Sequence, residues 1–180
     1  MNQTEKVVKR PEDEIPFHTK KFVWRFICIA AIVIILLCIA LVIHETAIKE
    51  VDMQGKEVLT SDQGVQYYLD HASWEKKIRN EEEVVIDGWC VIPGKTTSPI
   101  EIHVLLKDSA TQNVYQLPTT TVMRGDVTSH IDDGQNYDNS GFSVHIITNN
   151  LQIADHSYEI LLLYKIGKEE YVISLNENLD

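Results

Sequence analysis

Val84-Val85-Ile86-Asp87-Gly88-Trp89-Cys90-Val91-Ile92 is a short run of β-branched, aromatic and small residues that stops at Pro93-Gly94. That length and content predict a strand closed by a turn. The same pattern recurs on either side. Upstream, Val65 to His71 reads as a first strand. Downstream, Ile100 to Leu106 alternates, with Ile100, Ile102, Val104 and Leu106 on one face and Glu101, His103 and Leu105 on the other. Val114 to Leu117, Thr119 to Met123, Gly141 to Thr148, Tyr158 to Ile166 and Tyr171 to Leu175 complete the series. Gly167-Lys168 suits a hairpin between the last two. About seven strands in roughly 115 residues predict an antiparallel β-sandwich. The alternation predicts one buried face per sheet, with Trp89, Phe142, Tyr158 and Leu162 in the core.

A second stretch obeys another rule. Phe26 to Ile43 reads FICIAAIVIILLCIALVI, with no charge, amide, glycine or proline. As a helix these residues span about 27 Å, close to the hydrocarbon thickness of a bilayer. Arg25 and Trp24 stand at its edge, where a snorkelling cation and an interfacial aromatic belong. A soluble helix would carry a polar face. A cleaved signal peptide would be shorter and would end in a small-x-small site, which His44-Glu45-Thr46-Ala47-Ile48-Lys49 lacks. Residues 22–43 are therefore read as a transmembrane helix that is retained as a signal anchor.

The flanks set an orientation. Residues 1–25 hold six basic groups (Lys6, Lys9, Arg10, Lys20, Lys21, Arg25) and four acidic ones (Glu5, Glu12, Asp13, Glu14). Residues 44–180 hold 10 basic and 23 acidic groups, so the net charge of −11 divides into +2 before the helix and −13 after it. The positive-inside rule predicts a single-pass protein of the cell membrane with a cytoplasmic N-terminus. Residues 1–21 are read as a cytoplasmic tail, 44–63 as a charged stalk and 64–180 as the extracytoplasmic sandwich. Together these give an all-β, immunoglobulin-like antiparallel β-sandwich ectodomain on one N-terminal transmembrane helix, with the lipid bilayer as its first partner. The acidity excludes a general nucleic-acid binder.

Cys28 and Cys38 lie in the apolar segment, which leaves Cys90 alone in the outer part and without an internal disulfide. The glycosylation sequon Asn2-Gln3-Thr4 falls on the cytoplasmic side, and none follows the helix. Both features lean toward a bacterial surface protein. Cys90, beside Trp89, reads as a small structural residue. No zinc spacing, nucleophile elbow or phosphate loop occurs, so neither catalysis nor a cofactor is expected.

Residues 124–142 form the densest polar cluster, and three readings compete for it. Asp132, Asn136 and Asp138 offer evenly spaced oxygens to calcium, but without the glycine and terminal glutamate of an EF-hand, and no metal is expected. Arg124-Gly125-Asp126 matches an integrin tripeptide, which carries little information. The reading with most support is structural: Arg124 pairs with Asp126 or another acid and pins a long loop, with Asp and Asn forming turns. A sugar-binding face is the sharper option. Tyr67, Tyr68, Trp74, Tyr115 and Tyr137 would supply aromatic platforms, and Arg124, Asp126, Asn136 and Asp138 the placed polar groups. The glycan- or partner-binding residues expected from sequence are Arg124, Asp126, Asn136, Tyr137 and Asp138.

The order Ile86-x-Gly88-Trp89, a strand with Ile100 and Val104, Arg124-x-Asp126-Val127, Ser140-Gly141-Phe142 and Tyr158-x-Ile160-x-Leu162 resembles small β-sandwich modules attached to membrane-linked bacterial glycosyltransferases and other surface-polysaccharide proteins. The likeness covers roughly residues 64–176. It implies a noncatalytic accessory role in the cell envelope: recognising a surface glycan or docking on polysaccharide machinery. The alternative is a structural or regulatory subunit of a membrane protein complex.

Overall fold

The computed structural model describes residues 17–53, 55–56, 58–60, 63–78, 81–95, 100–149, 151 and 156–179. The first sixteen residues, with the sequon and the charges Glu5, Lys6, Lys9, Arg10, Glu12, Asp13 and Glu14, lie outside them. The chain divides into two compact units, Met1–Glu45 and Thr46–Asp180.

The described residues of the first unit lie in a helix, α1 (Phe17–Thr46), longer at both ends than the apolar run. Its residues Phe22–Ile43 are long and apolar enough to cross a membrane, about 33 Å at the helical rise, and none of them is buried.

The second unit is mostly β. Among the described residues ten strands form in chain order: β1 (Lys49–Glu50), β2 (Val58–Leu59), β3 (Gln66–Lys76), β4 (Glu82–Val91), β5 (Ile100–Asp108), β6 (Val114–Gln116), β7 (Thr120–Val122), β8 (Gly141–Thr148), β9 (Tyr158–Ile166) and β10 (Glu169–Leu179). A short helix, α2 (Gly125–Ile131), and a 3₁₀ turn at Asp138–Ser140 lie between β7 and β8. The larger sheet runs β1-β6-β5-β9-β10-β2 and the smaller β3-β4-β8-β7. Every pairing is antiparallel except β2 on β10, which is parallel.

The two sheets share one core. Val84, Ile86, Cys90, Phe142 and Val144 of the smaller sheet meet Ile102, Val104, Leu106, Ile160, Leu162, Tyr164 and Ile173 of the larger. Burial pushes the Cys90 thiol well above its ordinary range, which keeps it protonated and unreactive. Phe142, Tyr158 and Leu162 are buried as expected. Trp89 is the exception: its neighbours Gly88 and Cys90 point inward, so the pleat turns the indole to the other face.

The stalk reading of residues 44–63 gives way to a different arrangement. β1 closes one edge of the larger sheet on β6 and β2 closes the opposite edge on β10. Those edges are five strand spacings apart, about 24 Å. Eight residue steps separate Glu50 on one edge from Val58 on the other. The segment that joins the two edges forms a strap with a turn in it: the Lys56 amide donates to the Met53 carbonyl at 3.2 Å, and Gly55 has a positive φ of 77°. Met53 packs on Leu105, Val114, Leu161, Leu163 and Val172, an apolar patch on the face opposite the core. The Val51 amide donates to the Val114 carbonyl at 2.8 Å, and Lys56 Nζ pairs with Glu170 at 2.8 Å. Strands of two residues are too short for alternation to reveal them.

One buried carboxylate ties three segments together. Asp108, at the end of β5, accepts from the Ala110 amide at 2.7 Å, the Thr111 amide at 3.3 Å and the Thr111 hydroxyl at 2.8 Å. His156 Nδ1 lies 2.7 Å from its second oxygen. The His156 ring stacks on Tyr158, centroids 6.3 Å apart. Burial alone would raise the Asp108 carboxyl. The bonds from His156, Ala110 and Thr111 outweigh it and hold the group down at about 2. A depressed folded value stabilises the fold above the unfolded aspartate value of about 4 and is lost as pH falls toward about 2. Asp108→Asn is expected to cost about 2 kcal/mol at neutral pH. It should also flatten the loss of stability between pH 4 and 2.5; urea melts with an unchanged acid slope would contradict this role.

Candidate functional site

The face of the smaller sheet that turns away from the core carries the polar cluster. Register puts Tyr68 of β3 opposite Trp89 of β4, and Trp89 opposite Gly141 of β8. A side chain at Gly141 would meet the Val122 carbonyl oxygen at 2.4 Å and Arg124 Cγ at 2.7 Å. The glycine thus makes room for the Arg124 stem. β3 is bulged between Leu69 and His71, and Asp70 in the bulge is aimed at the guanidinium.

Arg124 Nη1 donates to Asp70 Oδ2 at 2.5 Å, while Nε and Nη2 grip Asp126 at 2.9 and 2.8 Å. Asp126, then Asp70, hold the guanidinium charged against partial burial, and Arg124 in turn lowers the Asp126 carboxyl. The Arg124 amide donates to the Asp138 carbonyl at 2.7 Å. Thr128 links the rest: its hydroxyl donates to Asp138 Oδ1 at 2.6 Å and accepts from the Tyr137 amide at 2.8 Å. Asn136 Oδ1 accepts from the Asp138 amide at 2.8 Å.

Tyr137 is fully buried against Val91 and Val127. Its hydroxyl donates to Asp133 at 2.6 Å and accepts from the Gly94 amide at 3.0 Å. The structure therefore brings Arg124, Asp126, Tyr137 and Asp138 together, with Asn136 in the adjoining turn, but it spends them on one another. Tyr137 presents no face to a ligand. The arrangement is the pinned loop of the structural reading, with Asp70 as a second acid that no local spacing reveals.

The other aromatics sort by face. Tyr67 and Trp74 pack on the core, and the Tyr67 hydroxyl donates to the Leu175 carbonyl at 2.5 Å. Tyr115 packs edge-on against Tyr158. Tyr68 alone of the five stands clear, 60% exposed. With Val65, Gln66, Tyr67, the half-buried Trp89 and His130 it lines an open groove of about 530 Å³. Trp89 and His130 are absent from the sequence reading of the site. Strand alternation pairs Trp89 with Tyr68 once the register is known. His130 sits in the last turn of α2, a seven-residue helix read from sequence as loop.

Among the described residues, no group of three His, Cys, Asp or Glu side chains is placed to hold a metal ion. In the suggested calcium loop, Asn136 and Asp138 each already accept an internal bond. Comparison of the chain with protein-family models, with curated proteins and with solved structures returns no match.

Proposed function

We propose that this chain is a noncatalytic, membrane-anchored recognition protein of the bacterial cell envelope. In this reading α1 crosses the membrane with its N-terminus in the cytoplasm, and the β unit is an immunoglobulin-like sandwich held outside. There it recognises surface glycan, alone or while docked on polysaccharide machinery. The observation that carries the reading is the Tyr68–Trp89 groove: an exposed ring beside a half-buried one, with Gln66 and His130 as polar neighbours, on a sheet face held rigid by the Arg124 pin. Aromatic platforms with few polar groups suit sugar rings, whose C–H faces stack while their hydroxyls find donors and acceptors.

This moves the site from the loop centred on Tyr137 to the neighbouring groove. The detergent-solubilised full chain is expected to retain envelope glycans on an array, and Tyr68→Ala to weaken that binding at least tenfold while leaving the melting curve unchanged. An array with no glycan retained sinks the reading. Reporter fusions at the two ends check the orientation, and a cytoplasmic C-terminus overturns it.

A further inference from the structure

We infer that the Tyr68–Trp89 groove selects saccharides that carry a free ammonium group, such as de-N-acetylated amino sugars, over neutral or anionic ones. The inference rests on the glycan reading above and narrows its ligand class.

Four observations converge. The rings of Tyr68 and Trp89 line the groove, and ring quadrupoles attract cations placed over their faces. No lysine or arginine lines it. Arg124 has its stem over Gly141, the cross-strand partner of Trp89, and its guanidinium is held by both Asp70 and Asp126, so the trio carries one net negative charge. α2 ends at this groove: His130 lies in its last turn, Asp132 caps it in the left-handed conformation, and Asp133 follows. The carbonyl end of a helix is its negative pole, so backbone and side chains contribute the same sign.

The wider field agrees. Residues 44–180 carry 23 acidic against 10 basic groups. Anionic polymers approach such a surface against repulsion, neutral sugars gain nothing from it, and an ammonium sugar is drawn in. N-acetylation removes that charge at one atom while keeping the ring, so a single chemical change isolates the term.

The test is calorimetric titration of the detergent-solubilised full chain with glucosamine disaccharide and with its N-acetylated counterpart at low salt. The free amine is expected to bind at least tenfold tighter, Tyr68→Phe to keep that preference and Tyr68→Ala to lose it. Equal affinity for the two sugars overturns the inference and leaves the glycan reading standing. Tighter binding of the N-acetylated form does the same. Amine binding undiminished in Tyr68→Ala also overturns it, because attraction to the acidic surface at large needs no ring. Failure of both disaccharides, with other glycans retained on the array, overturns the inference alone.

Discussion

Gly88→Ala is expected to destabilise the β unit by about 3 kcal/mol, the upper end of overpacking costs. A β-carbon there would stand 2.4 Å from the Tyr68 carbonyl oxygen, 2.8 Å from Phe142 Cζ and 3.3 Å from Leu69 Cα. Two of these three atoms are backbone and cannot rotate away. They belong to the segment of β3 that leads into the bulge, so relief would shift Asp70 away from Arg124 as well. Gly94 provides the contrast. It has a φ of +78° with nothing within 4 Å, so an alanine there meets only backbone strain, about 1 kcal/mol. Thermal melts should separate the two, with Gly88→Ala melting about 10 °C lower than the parent. A Gly88→Ala melt equal to that of Gly94→Ala would show that the strands part at little cost.

Tyr137→Ala is expected to be the most damaging change in the polar cluster, about 4 kcal/mol. It empties a fully buried aromatic site against Val91 and Val127 and strips partners from the Gly94 amide and Asp133. Tyr137→Phe keeps the ring and loses only the hydroxyl, about 1–2 kcal/mol. Burial and the Asp133 bond both raise the Tyr137 hydroxyl above its ordinary range, so it serves as a donor throughout the physiological range. Denaturant melts of the two variants read the difference directly. Were Tyr137 a ligand platform, Tyr137→Ala would cost binding and spare stability, and that outcome would falsify the structural role.

How far the fold could be read in advance depended on run length and on what bounded each run. β8 and β9 begin and end where sequence places them, because long apolar-rich runs are bounded by Gly141 and by Gly167-Lys168. β1 and β2 hold two residues each, which no periodicity can register. α2 has seven residues and opens on glycine, so its apolar positions Val127 and Ile131 make one helical repeat and no more. Trp89 shows a different limit. Alternation separates the faces of a strand but does not say which is inner, and here the inner face is partly built from the small residues Gly88 and Cys90. Tyr67 and Tyr68 are adjacent and so must face opposite ways. Sequence offers both as platforms, and packing chooses one. The Arg124–Asp126 pair was legible because it is local. Asp70 was not, since it is 54 residues away and reaches the guanidinium only through a bulge.

The strap across the larger sheet has a mechanical consequence. Tension applied along the chain from the apolar helix enters the β unit at β1, which two residue pairs hold to β6. That pairing is a weak clamp. Once it yields, Met53 lifts from Leu105, Leu161 and Val172, and the load passes to the Lys56–Glu170 ion pair and then to the parallel pairing of β2 with β10. The central strands are held far more firmly, β5 to β9 by nine residue pairs and β9 to β10 by eight. The strap is thus a weak link placed in series between the helix and the core, and the first thing its release uncovers is the apolar patch under Met53.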